Sequence, residues 1–434
     1  MKKNIKISAS VAGMLGIGSI SILLGCGSAA SGTSPFGAST APMVVTASDA
    51  PLSNILSAAV TISSASVTNS KSSAPVIAAP VTVELSSLGA IQEPIELTKV
   101  AYGTYNSVTL TVSSAVVSYV NSGGQVVTTT ATLTQPTITV ALTPALVISA
   151  AGEVQLQLAF NLAQSFNITG TAVTFGPAIN TVGTQVSTEN SGDRQIEVTG
   201  NATAVSASAI TIQAGDSGKQ FAFTINSTTQ FPAGVTASTI QTGAIVQVEG
   251  QTQADGTLLA TTITQESSGN NSGTQEDGAK GIVTSVTSSG GALTGFTMVP
   301  RENYGSASSA SSLNVTVSSS TTYNLSEDAQ QSGVAAAAFT SAEVFPGQSV
   351  VVSGTAGTGG AMAATQVTLA AESIAGTLVA APQGTSPSFT FALTLPTTSL
   401  LTTYDQLTTL NETASQSTEF GGSLSATSFA ALAA

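Results

Sequence analysis

Apolar and polar residues alternate along most of this chain with a spacing of two. The alternation is clear in "ITVAL" (138–142), "VQLQLAF" (154–160) and "FTFALTL" (389–395). A period of two puts every second side chain on one face of a strand, which is typical of antiparallel sheets with one buried face. Helical periodicity is scarce, and its best example, "DAQQSGVAAAAF" (328–339), is short. The sequence therefore predicts an all-β fold, and its length predicts more than one domain.

Two polar stretches without apolar spacing divide the chain. They have the composition of linkers, which we place at 183–194 and 268–278. The predicted architecture is a multidomain array, with a β-sandwich-like domain followed by small β-barrel or β-sandwich repeats. The predicted bounds are 41–182 for the sandwich-like domain and 195–267, 279–371 and 373–434 for the repeats.

An internal repeat defines the three carboxyl-terminal units. "GAIVQVEGQTQADGTLLATTI" from Gly243 aligns without a gap with "GQSVVVSGTAGTGGAMAATQV" from Gly347. The openings "VTGNATAV" (198–205) and "AKGIVTSV" (279–286) also match, and the second copy carries an insertion of about 23 residues. The third copy is short and divergent, and it ends in "GGSLSATSF" (421–429). The matched glycines stand where turns join strands, so turn geometry is their simplest role.

The amino terminus has the pattern of a secretion signal. Three lysines within six residues precede an apolar run, and the run ends in Leu23-Leu24-Gly25-Cys26. A basic region, an apolar region and a small residue at the cut are typical of a signal peptide, here 1–25. An uncleaved membrane helix that ends at a chance cysteine is the alternative. The small residues of 26–40 predict a flexible tether.

A cysteine directly after "LLG" resembles a bacterial lipobox. The resemblance implies cleavage between Gly25 and Cys26, followed by lipidation of Cys26 on its sulfur and acylation of its amino group. Two or more acyl chains anchor a protein stably, so the membrane is an expected partner through Cys26. Gly27, which stands where aspartate usually retains such proteins in the inner membrane, implies the outer membrane. The expected location is the cell envelope.

The charge balance is strongly acidic. Removing residues 1–25 removes three lysines and no acid, so the mature chain carries six basic and 22 acidic residues, a net charge of −16. Nucleic acids and anionic lipids are bound through clustered lysine and arginine, so composition excludes both as electrostatic partners. Charged residues are only 7% of the chain, which leaves solubility to serine, threonine, asparagine and glutamine.

The chain contains no histidine, and Cys26 is its one cysteine. A Ser-His-Asp triad, a Cys-His pair and an HExxH zinc site are therefore excluded. We predict no catalytic residue, metal site or cofactor, and we expect that the protein is not an enzyme. Because histidine is the side chain that normally titrates near neutral pH, its absence predicts tolerance of changing acidity. A melting curve between pH 7 and pH 4 tests that tolerance.

Carboxylates are the remaining candidates for catalysis. Asp216 lies in "GDSG" (215–218), the triplet of aspartic proteases, but no second triplet is present to share a proton. We expect Asp216 in a hairpin turn. Adjacent acids are usually solvated, so a carboxylate-dependent hydrolase is the less favoured alternative. The other close acids are Glu93 with Glu96, Glu276 with Asp277 and Glu327 with Asp328.

Calcium and sugars are two further candidate ligands. Calcium prefers clustered oxygen ligands, which 190–194, 270–278 and 324–328 offer without EF-hand spacing, so solvated loops are the simpler interpretation.

Sugars stack on exposed aromatic rings. Tyr102 and Tyr105 are an odd number of positions apart, so they face opposite sides of a regular strand and at least one belongs to the core. Tyr304 is expected in the inserted loop of the second repeat.

Residues 41–182 resemble the bacterial envelope family named domain of unknown function 4382. The resemblance rests on "VTASDAP" (45–51), "YGTYNSVTLTVSSA" (102–115) and "LQLAFNLAQSF" (156–166), although Asn161 stands where the family often has an acid. The repeats resemble domain of unknown function 5666, most clearly in "ADGTLLATTI" (254–263). Both resemblances imply secreted or lipid-anchored β-domains of unassigned activity.

The combined expectation is a lipid-anchored cell-envelope protein that acts as a non-enzymatic surface binding or interaction module. Its partner would be an envelope protein or a polysaccharide. A structural spacer without a discrete ligand is the alternative. The sequence does not decide between the two.

Overall fold

The computed structural model describes residues 40–50, 54–88, 92–150, 154–185, 195–232, 234–267, 275–307, 310–326, 339–370, 376–380, 383–385, 388–397 and 399–414. Most of these residues lie in strands, which confirms the predicted all-β array of sandwich-like and barrel domains. Gly25, Cys26 and the tether as far as residue 39 lie outside the described residues. No helix in the described part of the chain has the length and apolar character needed to cross a membrane.

The amino-terminal domain consists of thirteen strands and two short helical turns. In chain order they are β1 (Thr40–Ala50), β2 (Ile55–Thr68), β3 (Ser73–Ile77), β4 (Val81–Glu84), the 3-10 turn η1 (Leu85–Ser87), β5 (Glu93–Ala101), β6 (Gly103–Val120), β7 (Val126–Thr130), β8 (Thr132–Leu133), β9 (Thr137–Ile148), β10 (Val154–Asn161), α1 (Leu162–Ser165), β11 (Phe166–Thr169), β12 (Ala172–Phe175) and β13 (Ile179–Gln185).

Two sheets enclose the core of this domain. One has the order β13-β10-β1-β5, and the other has the order β3-β2-β6-β7 with β4 paired to β2 and β9 paired to β6. Alternate side chains of both sheets, such as Val45 and Leu156 of the first and Val60 and Leu110 of the second, meet in one buried cluster. A small third sheet has the order β11-β12-β8. The period of two thus produces a sandwich, because each sheet has an apolar face to bury.

The first repeat, which we call barrel 1, is a closed five-stranded barrel of order β14-β15-β16-β18-β17. Its strands are β14 (Gln195–Val205), β15 (Ala209–Ala214), β16 (Gln220–Thr224), β17 (Ile245–Thr252) and β18 (Leu258–Gln265). Neighbouring strands are antiparallel except β16 and β18, whose parallel pairing closes the barrel. This arrangement is a Greek-key barrel of the OB type.

The second repeat, barrel 2, follows the same circuit. Its elements are β19 (Asp277–Ser289), β20 (Ala292–Tyr304), β21 (Leu313–Thr316), β22 (Thr322–Leu325), the 3-10 turn η2 (Ser341–Glu343), β23 (Ser349–Ala356), the 3-10 turn η3 (Thr358–Gly360) and β24 (Ala361–Leu369). The order is β21-β20-β19-β23-β24-β22, and a parallel pairing of β21 with β24 closes the ring. The internal repeat predicted from the sequence is therefore present in the structure.

The region of the predicted third repeat forms a different sheet. Its elements are β25 (Thr377–Leu378), β26 (Gln383–Thr385), β27 (Ser388–Thr394), α2 (Leu400–Asp405) and β28 (Thr409–Ala414). The strand order is β25-β27-β26, with β28 paired to β27, so the described part does not repeat the five-stranded circuit. Residues 421–429, on which the predicted ending rests, lie outside the described residues.

The predicted boundaries shift at the linkers. Strand β13 extends to Gln185, and residues 186–194 lie outside the described residues. Glu276 is buried and Asp277 begins β19, so the linker predicted at 268–278 ends earlier than expected. The predicted helix at 328–339 falls almost wholly outside the described residues, and its last residue, Phe339, is not helical.

Candidate functional site

The amino-terminal domain meets both barrels at a group of buried and partly buried charged side chains, which we call the junction cluster. It consists of four carboxylates and two cations: Glu84, Glu93, Asp216, Glu302, Lys280 and Arg301. The carboxylates come from three folding units, since two belong to the amino-terminal domain and one to each barrel. Charged residues are rare in this chain, so their concentration at one place sets the junction apart.

Glu84 ends β4 and caps the turn η1. Its Oε1 accepts the N–H of Ala58 at 2.5 Å and the hydroxyl of Ser86 at 2.6 Å, and its Oε2 accepts the hydroxyl of Ser57 at 2.7 Å. Burial raises the pKa of Glu84, while these three hydrogen bonds and the nearby charge of Arg301 lower it. These hydrogen bonds satisfy the acceptor atoms of the buried Glu84 carboxylate within the protein.

Asp216 connects barrel 1 to the amino-terminal domain. It lies in the turn between β15 and β16, as the sequence predicts, and its Oδ2 accepts the backbone N–H of Glu84 at 3.0 Å. The side chain of Glu93, on β5, forms a hydrogen bond with the Asp216 carboxylate. Burial, then the negative charges of Asp216 and Glu302, hold the pKa of Glu93 well above its usual range. Burial also raises the pKa of Asp216, although the hydrogen bonds that it accepts oppose this.

Strands β19 and β20 supply the contribution of barrel 2. The Nζ of Lys280 lies 3.8 Å from Oε1 of Glu302, and the hydroxyl of Tyr304 donates to Oε2 of Glu302 at 2.8 Å. Burial raises the pKa of Glu302, and the charge of Lys280 lowers it. Arg301 reaches the amino-terminal domain, because its Nε donates to the carbonyl of Leu56 at 2.8 Å.

A cavity of about 20 Å³ adjoins the junction cluster and is lined partly by Glu93, Glu197, Lys280 and Glu302. That volume is close to what one water molecule needs, and it is far too small for a sugar or a peptide. In the described ranges no three histidine, cysteine, aspartate or glutamate side chains are grouped so as to hold a metal ion. The cluster therefore has the form of a packed polar interface and not of a substrate cleft.

Apolar contacts surround the junction cluster. Val44 of β1 packs into the core of barrel 1, and Leu56 and Val120 pack with Ile282 and Val299 of barrel 2. The described parts of the amino-terminal domain and the barrels lie within one compact unit, Ser39–Ala434. The predicted string of units is thus interlocked where it is described.

The two barrels are also joined by a buried amide. The Nδ2 of Asn201 donates to the carbonyls of Gly243 at 2.9 Å and Glu276 at 3.1 Å, and its Oδ1 accepts the N–H of Gly305 at 2.9 Å. Asn201 is only 3% exposed. Its side chain therefore satisfies three backbone groups from both barrels at once.

An open groove with a volume of about 660 Å³ lies at one end of barrel 1. It lies between the β14–β15 turn and the segment that joins β16 to β17, and all twelve lining residues are uncharged. Val205, Ile225 and Phe231 supply half-buried apolar surface, while Asn226 and Gln241 supply exposed amides. Such a mixture is typical of small-molecule and carbohydrate sites, where apolar walls carry a few polar groups.

Barrel 2 differs at the corresponding place. Tyr323 aligns with Phe231 of barrel 1, and the ring of Phe339 packs against it with centroids 6.0 Å apart and planes at 69°. Phe339 is only 7% exposed and belongs to the core of barrel 2. The residue aligned with Phe339 in barrel 1 is Val235, a smaller side chain. An aromatic ring thus covers in barrel 2 a position that borders the groove in barrel 1.

The structure places the acids singled out from the sequence in several environments. Glu93 and Asp216 come together in the junction cluster, whereas Glu96 forms an ion pair with Lys219 at 2.6 Å. Asp277 accepts backbone N–H groups of Ser306 and Ala356. Glu327 and Asp328, and the candidate calcium loop at 190–194, lie outside the described residues, as do parts of 270–278 and 324–328.

The tyrosines separate as expected, with one exception. Tyr105, on β6, is 2% exposed and belongs to the core, as predicted for at least one of the pair, whereas Tyr102 is 41% exposed and lies in the bend between β5 and β6. Tyr304 is not in the inserted loop, because β20 extends through it and buries its ring against Ile245 and Val351.

Sequence reasoning missed Glu84, Glu302, Lys280 and Arg301. The available signal was a charge within an apolar alternation: Glu84 follows "VTV" (81–83), and "PRE" (300–302) interrupts β20. In a chain with so few charges, a charged residue inside a predicted strand indicates a buried partner.

Comparisons with known proteins agree with these domain assignments. Residues 40–177 match the family model described as Domain of unknown function (DUF4382), and residues 199–264 match the model described as Domain of unknown function (DUF5666). No curated protein matches the chain. The first match covers the sandwich of β1 to β12, and the second covers most of barrel 1.

Proposed function

We propose that this protein is a non-enzymatic binding module of the cell envelope, anchored by lipid at Cys26, and that its ligand occupies the groove of barrel 1. The groove carries this proposal, because its volume of about 660 Å³ is of the size that encloses a small ligand or a few sugar units. The buried carboxylates stand apart from it, in a cavity of about 20 Å³, which disfavours the hydrolase alternative.

The chemistry of the groove favours an uncharged ligand. None of its lining residues is ionisable, so a charged ligand would lose hydration without finding a counter-charge. Amides and hydroxyls can exchange hydrogen bonds with a polar partner, and Phe231 offers a partly exposed ring. A neutral polysaccharide of the envelope meets these requirements, and an uncharged surface segment of an envelope protein is the other partner of this kind.

The experiment uses residues 27–434 as immobilised bait for purified neutral and acidic envelope polysaccharides and for envelope extract. We expect saturable retention of a neutral species. Ala207→Trp, which places a large ring at the mouth of the groove, should abolish retention. Ser288→Trp is the matched control, because Ser288 aligns with Ala207 and lies near the end of β19, beside the corresponding turn of barrel 2. Retention that survives both substitutions would place binding elsewhere on the molecule.

A structural spacer is the second candidate, and the interlocked junction favours it. Buried hydrogen bonds and apolar contacts tie the amino-terminal domain to both barrels, which suits a rigid support. If a bait whose folding is verified by circular dichroism retains nothing above a linker-only control, the spacer becomes the preferred function.

A further inference from the structure

We propose that the junction cluster is a proton-binding joint, which holds the amino-terminal domain tightly against the barrels in mildly acidic surroundings and loosens as the pH rises. This proposal is independent of the groove. It rests on the burial of Glu84, Glu93 and Glu302 and the partial burial of Asp216 at an interface between three folding units, and on the hydrogen bonds that cross that interface.

The charges at the junction do not balance when every acid is ionised. Four carboxylates face two cations, so full ionisation leaves an excess of two negative charges in a largely buried place. Placing unpaired charge away from water is costly, and groups in such a place retain protons instead. The other ionisable groups that contact or adjoin the cluster are Glu197, Glu266, Tyr304 and the ion pair of Lys219 with Glu96.

The hydrogen bond between Glu93 and Asp216 locates one retained proton. Two ionised carboxylates repel each other and cannot share a hydrogen bond, so one of them must be protonated. Burial comes first among the causes that raise the pKa of Glu93, and its hydrogen bond with Asp216 acts in the same direction. The same bond lowers the pKa of Asp216. Glu93 is therefore the donor, and ionised Asp216 accepts from Glu93 and from the N–H of Glu84.

The direction of the pH effect follows from these pKa shifts. Burial raises the pKa of Glu84, Glu93, Asp216 and Glu302 in the closed junction above their ordinary values. Between the ordinary and the raised values the closed form binds more protons than the open form, so its stability falls as the pH rises. The stabilisation is complete in acid and is lost as the pH passes the raised pKa of Glu93. The junction thus responds to acidity without any histidine.

The groups that separate on opening are identifiable. Loss of the Glu93 proton puts a new negative charge beside Asp216 and Glu302, and moving barrel 1 away from β4 relieves the repulsion. That movement breaks the bond from the Glu84 N–H to Asp216, so exchange of this amide reports the junction directly. The Val112 N–H, bonded to the Pro136 carbonyl at 2.8 Å inside the amino-terminal domain, is an internal reference.

The test is hydrogen exchange of the full-length chain between pH 5 and pH 8, corrected for the intrinsic pH dependence of amide exchange. We expect protection of the Glu84 amide to fall with rising pH, with a slope that approaches about tenfold per pH unit for one linked proton. Protection of the Val112 amide should stay constant. Constant or rising protection of the Glu84 amide would overturn the proposal.

Glu93→Gln tests the assigned proton. Glutamine has nearly the same shape and keeps a donor toward Asp216 at every pH, so the slope for the Glu84 amide should flatten. Asp255→Asn is the control, because Asp255 lies in the exposed β17–β18 turn, where hydrogen bonds from Thr257 lower its pKa. A wild-type slope in Glu93→Gln would contradict the assignment. Should that variant fail to fold, the exchange of the unaltered chain still decides the proposal.

Discussion

The two barrels share one framework but have different surroundings. Gly243 and Gly347 both have positive φ, at 94° and 93°, and each donates its N–H at 2.7 Å to the aligned carbonyl, that of Ala202 in barrel 1 and Val283 in barrel 2. A positive φ is accessible to glycine at little cost, so the same turn recurs with the same residue. The backbone geometry of this turn is thus repeated in the two barrels.

The differences lie where each barrel meets its neighbours. Asn201 in barrel 1 aligns with Ile282 in barrel 2. The asparagine bonds backbone groups of both barrels, whereas the isoleucine packs with Leu56 and Val120 of the amino-terminal domain. One position of the barrel therefore carries either a polar or an apolar side chain, according to what covers it. The shared backbone thus determines where glycine is needed, and the neighbouring domain determines which side chain stands at an interface position.

The largest loss of stability is expected where a glycine lies closest to the neighbouring strand and gains a methyl group. The loss should be of the same size in both barrels. A Cβ on Gly200 would lie 1.9 Å from the Gln213 carbonyl oxygen, and one on Gly281 would lie 2.1 Å from that of Val299. Gly200→Ala and Gly281→Ala should each lower the free energy of unfolding by about 3 kcal/mol, because neither backbone can withdraw from its neighbour. Chemical denaturation measures both.

Gly103→Ala is the control for these variants, since its Cβ would lie at an ordinary 3.5 Å from the Tyr105 ring. Its effect should be small. If one barrel tolerates its alanine and the other does not, the shared framework is less strict than the matched geometry indicates.

Truncating a side chain at the mouth of each barrel should destabilise the two barrels by different amounts. Phe339→Ala removes a buried ring and its contact with Tyr323, and we expect barrel 2 to lose about 3 kcal/mol. Val235→Ala, at the aligned and partly buried position of barrel 1, should cost about 1 kcal/mol. Hydrogen exchange of β16 and β21, followed separately, gives the two local values. Equal losses would show that the ring of Phe339 does not cover the mouth of barrel 2.

Smaller effects are expected at the divergent interface position. Asn201→Ala leaves the carbonyls of Gly243 and Glu276 and the N–H of Gly305 without this partner, at a cost of about 2 kcal/mol. Ile282→Val removes one methyl group from a packed contact and should cost about 1 kcal/mol. Melting curves of both variants test whether Asn201→Ala destabilises the protein more than Ile282→Val does. The reverse order would mean that water replaces the Asn201 amide at little cost.

The strands and the repeat could be predicted from the sequence because their causes are local. "VQLQLAF" became most of β10, and "FTFALTL" contains most of β27, since alternation acts between residues two apart. The alignment from Gly243 and Gly347 found both barrels because a turn with positive φ demands glycine in each copy. Asp216 was correctly predicted in a hairpin turn, because the turn pattern "GDSG" is also local.

The junction could not be predicted, because its residues are distant in sequence. Glu84 and Glu302 lie on strands of different folding units, and no spacing rule relates them. Tyr304 was expected in an inserted loop, since nothing local shows that β20 continues through "PREN" (300–303) to a buried ring. The groove of barrel 1 was also missed, because its walls come from two connections whose residues are ordinary for turns.

The position of β1 has a mechanical consequence. This first described strand lies between β10, to which it is parallel, and β5, to which it is antiparallel, with eight paired residues on each side. A force that pulls the chain from Thr40 acts along the strand, so the hydrogen bonds of both ladders share the load and must yield together. Strands pulled apart from one end yield one bond at a time. The domain is thus built to bear tension at its amino-terminal end.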